Sequence, residues 1–140
     1  MPNNIIIGKL GEGIACEYLL SKGYAIINRN YRETWGEIDI ICKDNRETLV
    51  FVEVKALKVF HDNIKRSGNC FTPEENLHQA KLNKVKRTAY LYANSHPELI
   101  NDNRGWQIDL IAIEIDRSNS ENVSDKEMIK YCQIRHYENI

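Results

Sequence analysis

Gly36–Lys55 reads G-E-I-D-I-I-C-K-D-N-R-E-T-L-V-F-V-E-V-K, two apolar runs on either side of a polar turn. Strand side chains alternate between faces, so Glu53 and Lys55 share one face while Val50, Val52 and Val54 share the other. In an antiparallel hairpin, opposed residues keep a constant index sum. Setting Asp39 against Glu53 makes that sum 92 and leaves Asn45, Arg46 and Glu47 as a three-residue loop. Any odd-length loop puts Asp39 on the face of Glu53 and Lys55, and any even-length loop puts it on the opposite face.

Working outward, residues 5–22 fit an amphipathic helix, with Leu10, Gly11, Ile14, Ala15, Tyr18 and Leu19 on one arc. Asn4 is placed to cap it and Gly23 to stop it. Gly8, Gly11 and Gly13 each cost such a helix about 1 kcal/mol relative to Ala and allow another backbone or a ligand to come close. Tyr24–Asn28 reads as a first strand, followed by a polar, aromatic stretch containing Asn30, Tyr31, Arg32 and Trp35. The hairpin strands span roughly Glu37–Lys43 and Thr48–Ala56, and a long loop follows. Thr72-Pro73-Glu74-Glu75 is a helix-opening signal, with Thr as N-cap, Pro at the first helical position and Glu at the third. That helix runs to about Ala93, ahead of Pro97. Trp106–Ile115 is nearly continuous in apolar residues and reads as a buried strand. Ser118–Asp125 reads as a loop and Met128–Tyr137 as a last strand. The order α-β-β-β-α-β-β predicts an α/β fold, a mixed central β-sheet flanked by helices.

With 140 residues the chain is sized for one domain, 1–140. No stretch approaches the roughly 18 apolar residues of a membrane-spanning helix, and Ile5–Ile7 is too short for a signal peptide. The expected setting is cytoplasmic, with no membrane partner. Cys16, Cys42, Cys70 and Cys132 lack zinc-type spacing, and most read as small core residues. The net charge of −1 hides an asymmetry. Lys55–Tyr90 carries eight Lys/Arg against three acids, and Asp109–Ile140 four against seven. A basic middle suits a phosphate backbone, although such runs also serve as solvated faces.

Asp39, Glu53 and Lys55 sit inside apolar runs, where a charge is costly unless it is paired or coordinates a metal. Two carboxylates a few ångströms apart resist joint ionisation unless a cation lies between them. Oxygen ligands of this kind suit Mg²⁺ or Mn²⁺, with the Val54 carbonyl as a further donor. Lys55 would then orient a water or stabilise the pentavalent phosphate of a hydrolysis reaction. From the hairpin's spacing alone, a cross-strand ion pair on a half-exposed sheet is the commoner account of these charges. Residues on both helices bear on the choice. His78 and Lys81 fall on the inward arc of the second helix, with Leu77, Leu82, Val85, Thr88, Ala89 and Tyr92. Glu12 lies at the edge of the first helix's apolar arc.

Several motifs recur in order: G-x-x-G-E-x-x-A-x-x-Y-L (Gly8–Leu19), G-E-I-D-I-I (Gly36–Ile41), L-V-F-V-E-V-K (Leu49–Lys55), Lys81 with its helix, I-D-L-I-A-I (Ile108–Ile113) and R-H-Y-E-N (Arg135–Asn139). Together they resemble the YraN-like bacterial proteins, which are assigned to the PD-(D/E)-x-K nuclease superfamily and related to archaeal Holliday junction resolvases. The resemblance covers nearly the whole chain. It implies a restriction-endonuclease-like core and a Mg²⁺- or Mn²⁺-dependent endonuclease acting on DNA, at branched or junction structures. It also implies a site of Glu12, Asp39, Glu53 and Lys55 with Lys81 as accessory, where Asp39, Glu53 and Glu12 hold the metal. Resolvase relatives act as dimers, so a homodimer is part of the implication. Ile38 replaces the proline of the superfamily's name, Leu57 stands where the family often has arginine, and the Lys58–Phe71 loop is longer than usual. The alternative is a non-catalytic nucleic-acid-binding protein built on the nuclease fold. A third is an interaction protein whose sheet carries only structural ion pairs.

Among the remaining residues, His61, His78, His96 and His136 share no metal-ligand spacing, and His136 reads as a structural hydrogen-bonding group. Tyr31 and Trp35 read as core aromatics or as base-stacking platforms. Asp109, inside a buried strand, reads either as a structural partner or as support for the site.

Overall fold

In a computed structural model, residues 2–59, 78–116 and 124–140 are described. Helix α1 spans Pro2–Ser21, so it starts ahead of the expected cap and Asn4 lies inside it. Pro2 suits the first helical position, where its missing N–H has no partner to lose. The C-terminal end follows the expectation for Gly23. Its φ of +90° lets the Gly23 N–H reach the Leu20 carbonyl and the Tyr24 N–H reach the Leu19 carbonyl at 3.0 Å.

Five strands form one sheet in the order β1-β2-β3-β4-β5. They are Ala25–Glu33, Gly36–Lys43, Leu49–Val59, Trp106–Asp116 and Cys132–Tyr137. β1 continues through Asn30, Tyr31 and Arg32, which the sequence reading left outside any strand. It is an edge strand, mostly exposed and shifted in register between Ile26 and Asn28, so no alternating apolar pattern marks it. β2 and β3 are antiparallel and keep the index sum of 92 from Lys43↔Leu49 to Ile40↔Val52. The turn closes as an odd-length loop over Asn45–Glu47. The Asp44 N–H meets the Thr48 carbonyl at 3.0 Å, and Glu47 takes a left-handed φ of 72°. Asp44 Oδ1 accepts from the N–H groups of Arg46 and Thr48, fixing the turn.

β4 runs parallel to β3, from Leu49↔Trp106 to Val59↔Asp116, and α2 (Gln79–Ser95) lies between them in the chain. His78 is extended, so α2 begins at Gln79, while the expected opening at Thr72–Glu75 falls outside the described residues. The last strand also starts later than expected. A one-turn helix α3 (Asp125–Met128), capped by the Ser124 side chain, and a 3-10 turn (Ile129–Tyr131) precede it. Much of the expected Ser118–Asp125 loop, residues 118–123, lies outside the described residues, as does most of Lys58–Phe71. β5 pairs antiparallel with β4.

The two large helices cover opposite faces. α1 contributes Ile7, Ile14, Ala15 and Leu19 to a core with Ile40, Cys42, Val50, Val52 and Ile111. α2 contributes Val85, Ala89 and Tyr92 to a second core with Ile38, Ile41, Phe51 and Ile108. There the Phe51 ring meets Tyr92 and Trp106 edge-on at 5.6 and 5.5 Å, contacts worth about 0.5–1.5 kcal/mol each beyond burial. Cys16 and Cys42 are buried free thiols in the α1-side core and Cys132 packs at its margin, while Cys70 lies outside the described residues. The architecture is the expected mixed sheet flanked by helices, consistent with a restriction-endonuclease-like core. Among the described residues no helix is long and apolar enough to cross a membrane.

Candidate active site

The β2–β3 ladder stops at Ile40↔Val52, one pair short of Asp39 and Glu53. The spacing of hydrogen-bonded pairs assigns the Val54 N–H to the Ile38 carbonyl if the ladder continued. It donates instead to Asp39 Oδ2 at 2.8 Å. Ile38 meanwhile packs into the α2-side core, away from the cluster that holds Ile40. The strands thus part where the acids stand, and the Asp39 carboxylate replaces a backbone acceptor.

Asp39 and Glu53 meet across this opening. Burial, followed by the negative charge of Glu53, pushes the Asp39 carboxyl from an ordinary 3.8 up to about 8, against the opposing pull of the Val54 N–H. Glu53 is 3% exposed. Its Oε2 is sealed from solvent and accepts no well-aligned hydrogen bond, but two ammonium groups face it. Lys81 Nζ stands at 3.0 Å and Lys55 Nζ at 3.6 Å. Burial and the neighbouring Lys81 lower the Lys55 pKa despite Glu53. Burial works against the charge on Lys81 as well, yet Glu53 outweighs it and holds that pKa above the ordinary value.

Asp39, Glu53, Lys55 and Lys81 therefore come together on the α2 side of the sheet, and Glu12 does not join them. Gly11 packs α1 directly onto β3, where a Cβ would lie 2.6 Å from that of Ala56 and 3.7 Å from Val54. Val54 and Ala56 face away from Glu53 and Lys55. Glu12 is accordingly directed to the β1 edge, where it hydrogen-bonds the Asn30 side chain beside Arg29. Burial raises its pKa, and its charge reaches Asp39 only as a distant contribution. Among the described residues no three His, Cys, Asp or Glu side chains converge on a common metal position. Of the three expected carboxylates, Asp39 and Glu53 stand closest to each other, and Glu12 adds the smallest of the contributions that raise Asp39.

His78, expected to point inward with Lys81, is exposed because the chain is extended there, and Leu77 lies outside the described residues. Gln79 is exposed and bonds Asn83. Glu37 pairs with Arg32 at 3.7 Å on the surface. Tyr31 packs edge-on against Tyr92 at 5.0 Å, whereas Trp35 stays 40% exposed. A cleft of about 580 Å³ opens beside Lys81. Glu33, Thr34, Gly36 and Glu37 form one wall, and Ala80, Lys81, Lys84 and Val85 form the other.

Asp109 serves a separate network on the α1 side. It is fully buried and accepts from Gln107 Nε2 at 2.8 Å, the Asn139 N–H at 2.9 Å and His136 Nε2 at 2.7 Å. The Tyr18 hydroxyl meets His136 Nδ1 at 3.3 Å. This ties α1, β4 and the end of the chain together, which is the structural reading of His136. Tyr18 and Gln107 were not singled out from the sequence; the inward position of Tyr18 on the α1 arc was the available signal.

The sequence model described as uncharacterised protein family UPF0102 matches residues 11–113. The chain belongs to this family. A UPF0102 protein of Persephonella marina is 41% identical over 110 residues, covering 77% of this chain and 83% of the relative. One from Caldicellulosiruptor bescii is 34% identical over 124 residues, covering 89% and 93%. A third, from Syntrophomonas wolfei, is 37% identical over 91 residues, covering 65% and 71%. The UPF0102 match takes in Glu12, Asp39, Glu53, Lys55 and Lys81 and ends at Ile113, ahead of His136.

Proposed function

We propose that this UPF0102 chain is a Mg²⁺- or Mn²⁺-dependent endonuclease that hydrolyses DNA phosphodiester bonds, with branched or junction DNA as its substrate and the cytosol as its setting. The observation that carries the reading is the pairing of Asp39 with Glu53 where β2 and β3 part, with Lys55 and Lys81 on the same carboxylate. The residues fit a divalent ion. An all-oxygen donor pair, a Glu53 oxygen without an aligned hydrogen bond and an Asp39 held above its ordinary pKa all favour a cation between the carboxylates. Asp39 and Glu53 would hold it, and Glu12 contributes its charge alone. Once bound, such an ion lowers the pKa of a water and offsets charge on the phosphate.

The protein's own groups have distinct tasks. The Val54 N–H fixes the Asp39 carboxylate in orientation. Lys55, 21% exposed and backed by Glu53, is placed to orient the attacking water or to stabilise the charge that develops on the phosphate. Lys81, 42% exposed, holds Glu53 from the cleft side and turns positive charge toward an entering strand. One observation favours the alternative of binding without turnover. The two lysines already compensate the buried Glu53, which a non-cleaving scaffold would also require.

Cleavage of linear, flap and four-way-junction DNA in Mg²⁺ or Mn²⁺ tests the proposal. Wild type should cut at least one substrate, and Asp39→Ala and Lys55→Ala should not. Cutting that persists in Asp39→Ala overturns the site. Salt-dependent DNA binding without cleavage in either metal supports the alternative.

A further inference from the structure

The cleft beside Lys81 has a size and a distribution of charge that the hydrolytic site itself does not need. Its volume, about 580 Å³, falls in the range of roughly 300–1,000 Å³ typical of small-ligand pockets. That space is of a size to take one nucleotide. One wall, from α2, offers the ammonium groups of Lys81 and Lys84. The opposite wall, from the β1–β2 turn, offers the carboxylates of Glu33 and Glu37, the Thr34 hydroxyl and the Gly36 backbone. A phosphate is attracted to the first wall and opposed by Glu33 on the second, where Arg32 at 3.7 Å offsets part of the Glu37 charge. A base edge finds the reverse, since carboxylates accept from base N–H groups. Trp35 stands between Thr34 and Gly36 at the tip of that turn, 40% exposed, where an aromatic face can stack on a base. Lys81 joins the two regions, because it lines the cleft and lies 3.0 Å from Glu53.

The geometry points to a binding site for an unpaired nucleotide of the DNA substrate. Its phosphate runs along Lys81 and Lys84, its base lies against Glu33, Thr34 and Glu37, and Trp35 stacks at the rim. The inference rests on the nuclease reading for its substrate and deepens it: the strand presented to Asp39 and Glu53 is single-stranded at that point. Phosphate charge at Lys81 would also draw this lysine from Glu53 toward the cleft.

The test is a binding measurement in EDTA, so that no turnover is involved. Fluorescence anisotropy compares labelled oligothymidylate with a blunt duplex of equal length. Wild type should bind the single strand about tenfold or more tightly, and Trp35→Ala should remove about tenfold of that affinity, as loss of one stacked base does. Lys84→Ala should lower the slope of log affinity against log salt by about 0.7, the value for one phosphate contact on a single strand. Both side chains are exposed, and circular dichroism confirms that the variants are folded. Equal affinity for both DNAs, or unchanged single-strand binding in Trp35→Ala, overturns the cleft assignment and leaves the Asp39 cleavage result standing. Cleavage surviving in Asp39→Ala overturns the hydrolytic site and leaves the binding comparison intact.

Discussion

Lys81 Nζ on α2 stands 3.0 Å from Oε2 of Glu53 on β3, so a half-exposed ammonium compensates a carboxylate sealed within the sheet. Removing one partner of a buried pair leaves an uncompensated charge, at about 3–5 kcal/mol when both are fully buried. Lys81 is partly solvated and Lys55 remains at 3.6 Å, so the effect is smaller. Lys81→Met is expected to lose about 1–3 kcal/mol in urea unfolding at neutral pH. Adding Glu53→Gln should recover much of that loss, the sign of a direct coupling. Lys84→Met, one turn along the same helix but exposed, should stay within about 0.5 kcal/mol of wild type.

Asp39 gives the fold a pH dependence. Its folded pKa of about 8 lies above the ordinary 3.8, so between these values the folded state holds a proton that the unfolded chain has released. Stability therefore falls as pH rises through that window and levels off above it. Asp39→Asn removes the titration and keeps an oxygen for the Val54 N–H. The variant should exceed wild type by about 1–3 kcal/mol at pH 8, with the difference shrinking toward pH 4, in urea titrations without divalent metal. Addition of Mg²⁺ or Mn²⁺ should raise the melting temperature of wild type at pH 8 and leave Asp39→Asn unchanged.

Gly11 and Gly8, one turn apart on α1, should respond to alanine with opposite signs. A methyl group at Gly11 would lie 2.6 Å from the Ala56 Cβ, with backbone close behind it, so α1 must shift from β3. The gain in helix propensity, about 1 kcal/mol, is offset by overpacking of about 1–3 kcal/mol. Among the described residues nothing lies within 4 Å of a Cβ at Gly8, which leaves the propensity gain alone. Thermal melts should show Gly8→Ala stabilised by about 0.5–1 kcal/mol and Gly11→Ala destabilised.

Asp109 collects three donors in a site without solvent access. Asp109→Ala leaves Gln107, His136 and the Asn139 amide unmatched and should lose about 2–4 kcal/mol. His136→Phe preserves much of the ring packing against Tyr18 and should lose less. Carboxypeptidase digestion gives an independent readout, because release of the Asn139 amide should expose the chain end earlier than global unfolding does.

The hairpin was legible because alternation and a constant index sum are local constraints, and Asp44 with a left-handed Glu47 builds the odd-length turn they require. The approach of Lys81 to Glu53 was legible through the helical arc that sets Lys81 inward. The bond of Glu12 to Asn30 was not. The position of Glu12 on its helix is correct, but which face of the sheet α1 covers is decided by the contact of Gly11 with Ala56, beyond the reach of periodicity. β1 exceeded its expected length because an exposed edge strand shows no apolar alternation. The Asp109 network joins α1, β4 and the last residues of the chain, so no short motif reveals its partners.

The central place of β3 has a consequence for how long the site persists. Glu53 and Lys55 ride on the middle strand, with β4 paired along its whole length and β2 covering Leu49–Val52. The amides of Leu49–Val52, flanked by strands on both sides, should exchange with deuterium only when the entire sheet opens, while those of the β1–β2 turn at the sheet's margin exchange through small local excursions. Glu53 follows directly on that protected segment and is held to β4 opposite Leu110. The cleft wall formed by the β1–β2 turn can therefore open and close many times while the carboxylate on β3 keeps its place.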